Sequence, residues 1–409
     1  MSKVITMMDR KCTFEIRKLG IEDIDQYNEL LRYAFQVTEK TLLDYGWEND
    51  EIRKSKFPVL ENAHVLGCFD DGALISQFAV YPMEMNVHSA IFPIGFITSV
   101  ATYPEYSRRG LMSRLMKQSL FEMREKGQSI AILYPYSIPL YRHRGWEIIS
   151  DKMTWRISDT KMLARKDVPG YVRRVPGDSP DLIALHSKFA KKTHGCLFRN
   201  DLAWDEYWRW DVDDTTVAIY YGEDHAPLGY MVYRIDADTM YVKEMVYLNM
   251  EAKMGLFRYI NAHDSMVDEV RGNNYSGESI AFALSDSDIK ETIRPYIMGR
   301  IVDFESFLKR YRFKAEVSGV SFTFHVTDPF LEWNNKSFTI RIEGGVAELT
   351  SESSKYEAKL SIGTLTTLFL GYKRAPDLAT LERIEASQST IELLDTALIR
   401  KKPYISDYL

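Results

Sequence analysis

The chain has 409 residues, of which 45% are apolar and 27% are charged, and its formal net charge at pH 7 is −6. This length and composition are typical of two or three globular domains, and the negative net charge argues against a basic nucleic-acid-binding surface. The three cysteines, Cys12, Cys68 and Cys196, form no Cys-x-x-Cys pair. They cannot build a disulfide framework, so a reducing cytoplasm is the predicted compartment.

Membrane and metal sites are not indicated either. No signal peptide precedes Met8, and no apolar run approaches the length of a membrane-spanning helix. The histidines include no His-Glu-x-x-His motif, and His194 with Cys196 is the only close pair of metal-ligand type. We therefore expect no bound metal and no membrane partner.

The first part of the chain alternates between helical and extended patterns. Asp70, Asp71 and Gly72 predict a tight hairpin turn, because Asp-Gly favours the positive φ angles that such turns need. The predicted elements are a strand over 14–19, a helix over 21–35, a partly helical stretch over 38–57, and strands over 64–69, 74–84 and 90–101.

Residues 97–146 carry the most specific signal. A β-favouring run ends at Pro104, and from Gly110 apolar residues recur at helical spacing, so the segment predicts a strand, a turn and a long helix. A buried strand over 129–134 and a further strand over 146–157 follow.

The predicted turn has the chemistry of an anion site. The N–H groups that open a helix lack intrahelical acceptors, the helix dipole adds partial positive charge, and Arg108 and Arg109 stand beside them. Gly110 has no Cβ, so its backbone allows the close approach of a pyrophosphate. The alternative is a surface turn with two solvated arginines.

The turn SRRGL after SVATYP, with LYRHRGWE further along, resembles the GNAT (Gcn5-related N-acetyltransferase) superfamily, whose phosphate loop reads Arg/Gln-x-x-Gly-x-Gly/Ala. Ser107 holds the Arg/Gln position, which removes a side-chain donor but leaves the main-chain amides. Met112 replaces the last small residue, and the Eis (enhanced intracellular survival) subfamily, which this chain resembles more closely, also has a larger apolar residue there.

The resemblance implies acetyl-CoA as co-substrate and supplies a set of binding residues. Main-chain groups of Ser99, Val100 and Ala101 are expected to pair with the pantetheine arm, and one of their N–H groups is expected to polarise the thioester carbonyl. The phosphates are expected to lie against the turn formed by Arg108, Arg109, Gly110, Leu111 and Met112.

An internal comparison predicts a second, related domain. Residues 216–233 repeat the pattern of residues 64–81, and residues 243–260 repeat the strand–turn–helix pattern. The alternative is a generic α/β domain with chance similarity. The alignment pairs three positions of the two copies: Gly255 with Gly110, Lys253 with Arg108, and Met254 with Arg109.

The second copy thus lacks one of the two arginines, and we expect it not to bind cofactor. A boundary is indicated near 299–305. Beyond it the pattern predicts a helix or strand over 304–311, strands over 319–326, 336–343 and 346–350, and helices over 362–370 and 391–399.

The resemblance implies tandem GNAT-like α/β domains, a catalytic one over 1–158 and a degenerate one over 159–302, followed by a sterol-carrier-protein-like α+β domain over 303–409. Such a domain suggests lipid binding, but a fold does not carry its function with it.

The chain ends on Tyr408 and Leu409, which are large and apolar, so we expect a docked terminus. In Eis-type enzymes the carboxylate of the last residue reaches the acetyltransferase site, and Leu409 would supply it here. An ordinary tethered terminus is the alternative.

The implied chemistry needs a base and an acid. The Leu409 carboxylate is the candidate base that takes a proton from the amine, and Tyr141 is the candidate acid that protonates the departing thiolate, since a phenol is protonated at neutral pH. Tyr134 and Tyr136 are substitutes, and simple packing beneath the cofactor is the alternative for Tyr141.

These inferences predict an N-acetyltransferase acting on small-molecule primary amines, for which the Eis resemblance suggests aminoglycosides. Two other functions stay open: an acyl-CoA-binding regulator without catalysis, and a lipid-binding protein that acts through its last domain. The resemblance also implies a homo-oligomer, a hexamer in the Eis subfamily. Four carboxylates could bind a cationic acceptor or form a solvated helix face: Asp44, Glu48, Asp50 and Glu51.

Overall fold

The computed structural model describes residues 14–158, 167–211, 214–284 and 286–409. It divides into two compact units, one formed by residues 14–82 with Ile97–Glu122 and the other by Met83–Phe96 with Met123–Leu409. Within the described residues no helix is long and apolar enough to cross a membrane.

The first unit is an antiparallel sheet with helices, and its order follows the predicted one. β1 pairs with β2 and β2 pairs with β3. Asp71 and Gly72 both have positive φ, 47° and 80°, which confirms the hairpin turn. The elements that lie in or enter this unit are β1 (Glu15–Lys18), α1 (Ile24–Ala34), α2 (Glu39–Asp44), α3 (Asn49–Lys54), α4 (Phe57–Asn62), β2 (His64–Asp70), β3 (Ala73–Val87), β4 (Ala90–Thr102) and α5 (Leu111–Glu125).

The second unit holds the remaining elements, in three groups along the chain. The first group is β5 (Ile130–Leu133), α6 (Ile138–Arg142), β6 (Glu147–Ile148) and β7 (Asp151–Ser158). The second group is β8 (Tyr171–Val175), α7 (Pro180–Lys192), β9 (Leu197–Phe198), α8 (Asp201–Trp208), β10 (Thr216–Tyr221), β11 (Pro227–Asp236), β12 (Thr239–Tyr247), α9 (Met250–Asn261), β13 (Glu269–Asn274), β14 (Lys290–Pro295) and β15 (Met298–Ile301). The third group is α10 (Phe304–Arg310), β16 (Val320–Thr327), β17 (Ser337–Glu343), β18 (Val346–Leu349), β19 (Glu357–Ser361), α11 (Ile362–Phe369), α12 (Ala375–Thr380), β20 (Ile384–Ala386) and α13 (Gln388–Ala397).

Two strands of the second unit, β7 and β15, do not lie in the same sheet as the strands that precede them in the chain. The prediction of one strand over 146–157 is wrong, because the chain turns at Ile149 and Ser150, whose amides both donate to the Ile297 carbonyl. β6 pairs with β15, which also pairs with β5, whereas β7 lies between β13 and β14 in a seven-stranded sheet. The expected boundary at 158/159 therefore does not separate the sheets, whereas the expected boundary at 302/303 separates the five-stranded sheet of β16–β20 from all the earlier strands. Both boundaries stay a proposal.

The predicted alignment of Gly255 with Gly110 is also wrong. Gly255 lies inside α9 against the Tyr220 ring, where an added Cβ would come within 2.2 Å of ring carbons, so close packing explains this glycine. Gly110 precedes its helix and has a φ of 77°. The N-terminus of α9 is instead capped by Asn249, whose side-chain oxygen accepts the Ala252 amide at 2.8 Å.

The last part of the chain is α+β. Its five-stranded sheet has the order β18-β17-β16-β19-β20, with β16 parallel to β19 and the other pairs antiparallel. Residues 304–310 form a helix, which resolves that alternative, and it buries Phe304 and Phe307 against the Phe369 ring. The short β19, α12 and β20 were not predicted, because their sequences are too short and polar to show a period.

Candidate functional site

The predicted cofactor residues lie in the first unit, and the predicted catalytic residues Tyr141 and Leu409 lie in the second unit. In the first unit, the turn before α5 exposes main-chain donors. Arg108 and Gly110 have φ angles of 63° and 77°, so the chain passes twice through the left-handed region before the helix begins. The Gly110 carbonyl accepts the Arg114 amide at 3.1 Å, which makes Gly110 the N-cap. The amides of residues 108–112 have no acceptor within the described residues.

The two arginines of this turn behave differently. Arg109 folds back, with Nη2 donating to the Glu105 carbonyl at 3.3 Å and its guanidinium 5.0 Å from the Tyr106 ring centroid. Arg108 is exposed and forms no hydrogen bond or ion pair within the described part of the chain. Arg108 and the amides are therefore the groups that an anion can reach, and Ser107 is exposed beside them.

Strand β4 is irregular at the position expected to meet the pantetheine arm. Ser99 has a φ of 54°, and a non-glycine residue with positive φ inside a strand marks a bulge, which interrupts the ladder. Its hydroxyl is held by the buried Tyr27, which donates to Ser99 Oγ at 3.1 Å. The Ser76 hydroxyl donates to the Ala101 carbonyl at 3.0 Å. Val100, between Ser99 and Ala101, is half-buried.

In the second unit, Tyr141 lies on the short helix α6 and is 5% exposed. Its ring packs edge-on against Trp146, with 6.0 Å between centroids. Burial raises the pKa of the Tyr141 phenol, and nearby Arg144 opposes this only in part. Within the described residues its hydroxyl has no hydrogen-bond partner. Tyr141 is thus a protonated phenol at neutral pH, as a general acid requires.

The turn after Tyr141 is fixed by a buried ion pair that sequence patterns did not reveal. Arg300 on β15 donates to the Arg144 carbonyl and pairs with Asp328, and neither side chain is exposed. Gly145 has a φ of 81°, and a Cβ there would lie 1.8 Å from Arg300 Nη1. Glycine is therefore required at this turn for two reasons, conformation and space.

Of the three candidate acids, Tyr134 is the one whose ring contacts a ring of the C-terminal tail within the described residues. Its ring contacts Tyr408 edge-on at 5.1 Å and Tyr296 at 5.6 Å. Tyr136 is 99% exposed. Tyr141 contacts no tail ring among the described residues, so the acid role stays a prediction for it, with Tyr134 as the substitute beside the tail.

The C-terminal tail is docked, as expected. Tyr404, Ile405, Ser406 and Asp407 are buried, whereas Leu409 is half-buried. The Tyr404 amide donates to the His194 carbonyl at 2.8 Å, and the Tyr296 hydroxyl donates to the Asp407 carbonyl at 3.2 Å.

A fully buried charge cluster anchors this tail. Arg199 Nε lies 2.6 Å from Asp407 Oδ1, and its Nη2 lies 2.9 Å from Glu244 Oε1, with the three side chains at most 1% exposed. Ser406 Oγ donates to Glu244 Oε1 at 2.6 Å. Burial opposes ionisation of Glu244, yet the Arg199 charge lowers the pKa of this carboxyl to about 2. The cluster is therefore ionised, and it links the tail to β12.

Other candidates take structural roles. Arg142 pairs with the buried Glu147 at 2.8 Å. Asp50 pairs with Lys54, and Glu51 accepts the Glu48 amide at 3.2 Å, so these carboxylates form part of a solvated helix face. Within the described residues no group of His, Cys, Asp and Glu could hold a metal ion. Cys68 and Cys196 are buried thiols, and Cys12 lies outside the described residues.

The chain matches three protein families in succession. Residues 15–149 and residues 195–301 each match an acetyltransferase (GNAT) domain, and residues 304–406 match a sterol carrier protein domain. This order confirms the predicted fold class of tandem GNAT domains followed by a sterol-carrier-protein-like domain.

Relatives cover nearly the whole chain. An uncharacterized N-acetyltransferase from Streptomyces griseus is 22% identical over 89% of this chain and 94% of its own. N-acetyltransferase Eis from Mycobacterium tuberculosis is 22% identical over 76% of this chain and 80% of its own. A probable N-acyltransferase from Enterococcus faecalis, whose crystal structure is known, is 27% identical, with a TM-score of 0.88 over 97% of this chain and 100% of that one. This chain is an Eis-like N-acetyltransferase of the GNAT superfamily.

Proposed function

We propose that this enzyme transfers the acetyl group of acetyl-CoA to a primary amine of a small molecule. The observation that carries the proposal is the turn before α5, where the amides of residues 108–112 and the Arg108 guanidinium have no partner within the described residues. Such a turn fits a pyrophosphate, which accepts hydrogen bonds from helix N-terminal amides and attracts the arginine. The bulge at Ser99 fits a pantetheine arm that pairs with main-chain groups of residues 99–101.

In the proposed reaction the amine first loses a proton to a base, for which we propose the Leu409 carboxylate. The nitrogen then attacks the thioester carbonyl, which a main-chain N–H of β4 polarises, and a tetrahedral intermediate forms. As it collapses, the C–S bond breaks, and the sulfur takes the proton of the Tyr141 phenol. The nitrogen then loses its extra proton to the Tyr141 phenolate, which restores the phenol. The amide product and free CoA result.

Aminoglycosides are the first acceptors to test, because of the similarity to Eis. The docked tail supports a carboxylate near the acceptor, and a carboxylate attracts a cationic amine. We also propose a cytoplasmic enzyme with reduced Cys68 and Cys196. We propose that it is a homo-oligomer, with the hexamer of the Eis subfamily as the state to test, and light scattering would measure its mass.

The test is thiol release from acetyl-CoA with a panel of aminoglycosides and simple polyamines, using protein with an untagged C-terminus. We expect turnover that falls at least tenfold in Tyr141→Phe and in a variant lacking Leu409. Tyr136→Phe is the matched control, because this tyrosine is in the same segment but 99% exposed. Acetyl-CoA binding without turnover on any amine would overturn the proposal and favour the regulator.

A further inference from the structure

A cavity of about 710 Å³ lies beside the C-terminal tail, entirely within the second unit. Its walls include the rings of Tyr134, Tyr296 and Tyr408, so it meets both the tyrosine that follows β5 and the residue before Leu409. A small molecule of drug size fits a cavity of this volume. If the amine reacts beside the tail, this cavity is where the rest of the acceptor can lie.

Among the residues that the structure describes, every carboxylate in the cavity wall is already engaged with a cation. A carboxylate held in an ion pair offers little further attraction to a substrate cation, because the two charges largely cancel at a distance. The pairs are Glu206 with Arg209, Asp211 with Lys243 at 2.6 Å, and Glu244 with Arg199 at 2.9 Å.

Two cations of the wall have no such partner. Lys152 on β7 and Arg294 on β14 are opposite each other on adjacent strands, and neither side chain forms an ion pair or hydrogen bond within the described residues. The half-buried Lys152 ammonium lies 5.9 Å and 5.7 Å from the ring centroids of Tyr275 and Tyr296. Burial and, to a smaller extent, the Lys243 charge lower the pKa of Lys152, which shows that this ammonium lacks a compensating anion.

We propose that the cavity binds an acidic group of the acceptor, a carboxylate or a phosphate, through Lys152 and Arg294. This inference rests on the proposed function, since it takes the acceptor to react beside the tail. The Leu409 carboxylate attracts the amine, and the two cations attract the acidic group, so the enzyme uses amines that also carry an acidic group better than amines that do not. An acidic group restores the charge balance that the wall itself does not supply.

Acceptor pairs in which one member has an acidic group and the other does not test the inference. Phenylalanine is compared with phenylalaninamide for the carboxylate, and phosphoethanolamine with ethanolamine for the phosphate. The amide has the less basic amine and so the larger unprotonated fraction, which favours the amide in the absence of an acid-binding site. We expect kcat/KM for at least one acidic acceptor to exceed that of its neutral partner by tenfold or more.

Lys152→Met removes the half-buried cation and keeps most of the side-chain volume. We expect the ratio of kcat/KM between acidic and neutral acceptors to fall toward one, mainly through KM. Lys359→Met is the control, since this lysine is 62% exposed and pairs with Glu385 on a different sheet, and its ratio should stay as in the parent. Equal or better use of the neutral acceptors by the parent would overturn the inference.

Calorimetric binding of N-acetylphenylalanine and of N-acetylphenylalaninamide separates this inference from the proposed function. Preferential binding of the acid that Lys152→Met abolishes, without turnover of any amine, would retain the anion site and overturn the acetyl transfer. Turnover without a preference for acidic acceptors would retain the acetyl transfer and overturn the anion site. Neither binding nor turnover would overturn both.

Discussion

At the scale of single residues, Arg199 fixes the position of the C-terminal tail. It pairs with Glu244 on β12 and with Asp407 in the tail, and the three side chains are at most 1% exposed. A buried ion pair contributes little net stability, but removal of one partner leaves the others charged in a medium of low dielectric. Arg199 therefore acts on the proposed base indirectly, as a residue that positions Leu409.

We expect Arg199→Met to lower the free energy of unfolding by about 3–5 kcal/mol, because Glu244 and Asp407 would remain buried without a cation. The tail should also detach, so carboxypeptidase should remove residues 404–409 faster than in the parent. Urea unfolding and mass spectrometry of the digest measure the two effects. Arg341→Met, at an exposed pair with Glu343, is the control and should change neither. An unchanged digestion rate would contradict the anchoring role.

At the scale of elements, a pair of histidines joins three chain segments of the second unit. His88, in the turn between β3 and β4, stacks on His194 with 3.8 Å between ring centroids. The His88 amide donates to His194 Nδ1 at 3.1 Å, and His194 Nε2 lies 2.8 Å from the Leu370 carbonyl. His194 is therefore the neutral tautomer with its proton on Nε2, and a second proton on Nδ1 would break this contact.

This pair predicts loss of stability in mild acid. Burial lowers the pKa of His194 to about 4 and that of His88 to about 2, whereas an unfolded histidine titrates near 6.5. Between about pH 4 and 6.5 the unfolded chain binds more protons than the folded chain, so stability is complete above this window and falls as the pH falls through it.

We expect the urea midpoint to drop between about pH 7 and pH 4.5, and His194→Gln to reduce that drop, because one proton-linked group is gone. His325→Gln, at a half-buried histidine of β16, should keep the slope of the parent. A slope that is the same in parent and His194→Gln would show that the pair does not cause it.

At the scale of the whole molecule, strands that follow one another in the chain do not always belong to the same sheet. β7 buries Met153, Trp155 and Ile157 in the seven-stranded sheet, whereas β15, from far along the chain, completes the sheet that contains β5 and β6. The sheet that contains β5 and β6 of the first acetyltransferase-type region is therefore completed by a strand from the second region, and β7, which directly follows the first region, pairs with β13 of the second.

We expect the fragment 1–158 not to fold by itself. It carries β7 without its partners β13 and β14, which leaves apolar residues uncovered, and it lacks β15, which leaves the edges of β5 and β6 open. Expression followed by circular dichroism and NMR of the fragment measures this. A soluble fragment with dispersed amide resonances would contradict the structural role of the exchange.

The sequence by itself determined the family, the order of the domains, most strands and helices, and the turn that precedes α5. These depend on local signals, such as the Asp71-Gly72 turn and the helical period from Leu111. Each can be read within a few residues, because turn chemistry and amphipathic periodicity are properties of neighbouring positions. The apolar end at Tyr408 and Leu409 predicted a docked tail, but residues 404–407 make the anchor and Tyr408 is exposed.

Only the tertiary structure decided the strand exchange, the true start of α9, the anchor of the tail and the unpaired cations of the cavity. Arg199 and Asp407 are 208 residues apart in the chain, and Arg300 and Asp328 belong to different domains. Sequence patterns extend over a few neighbouring residues, so they cannot reveal which side chains pair across such a separation. Whether a charge is paired, as in Glu244, or unpaired, as in Lys152, depends on which elements pack together, since burial and charge pairing are properties of the assembled fold.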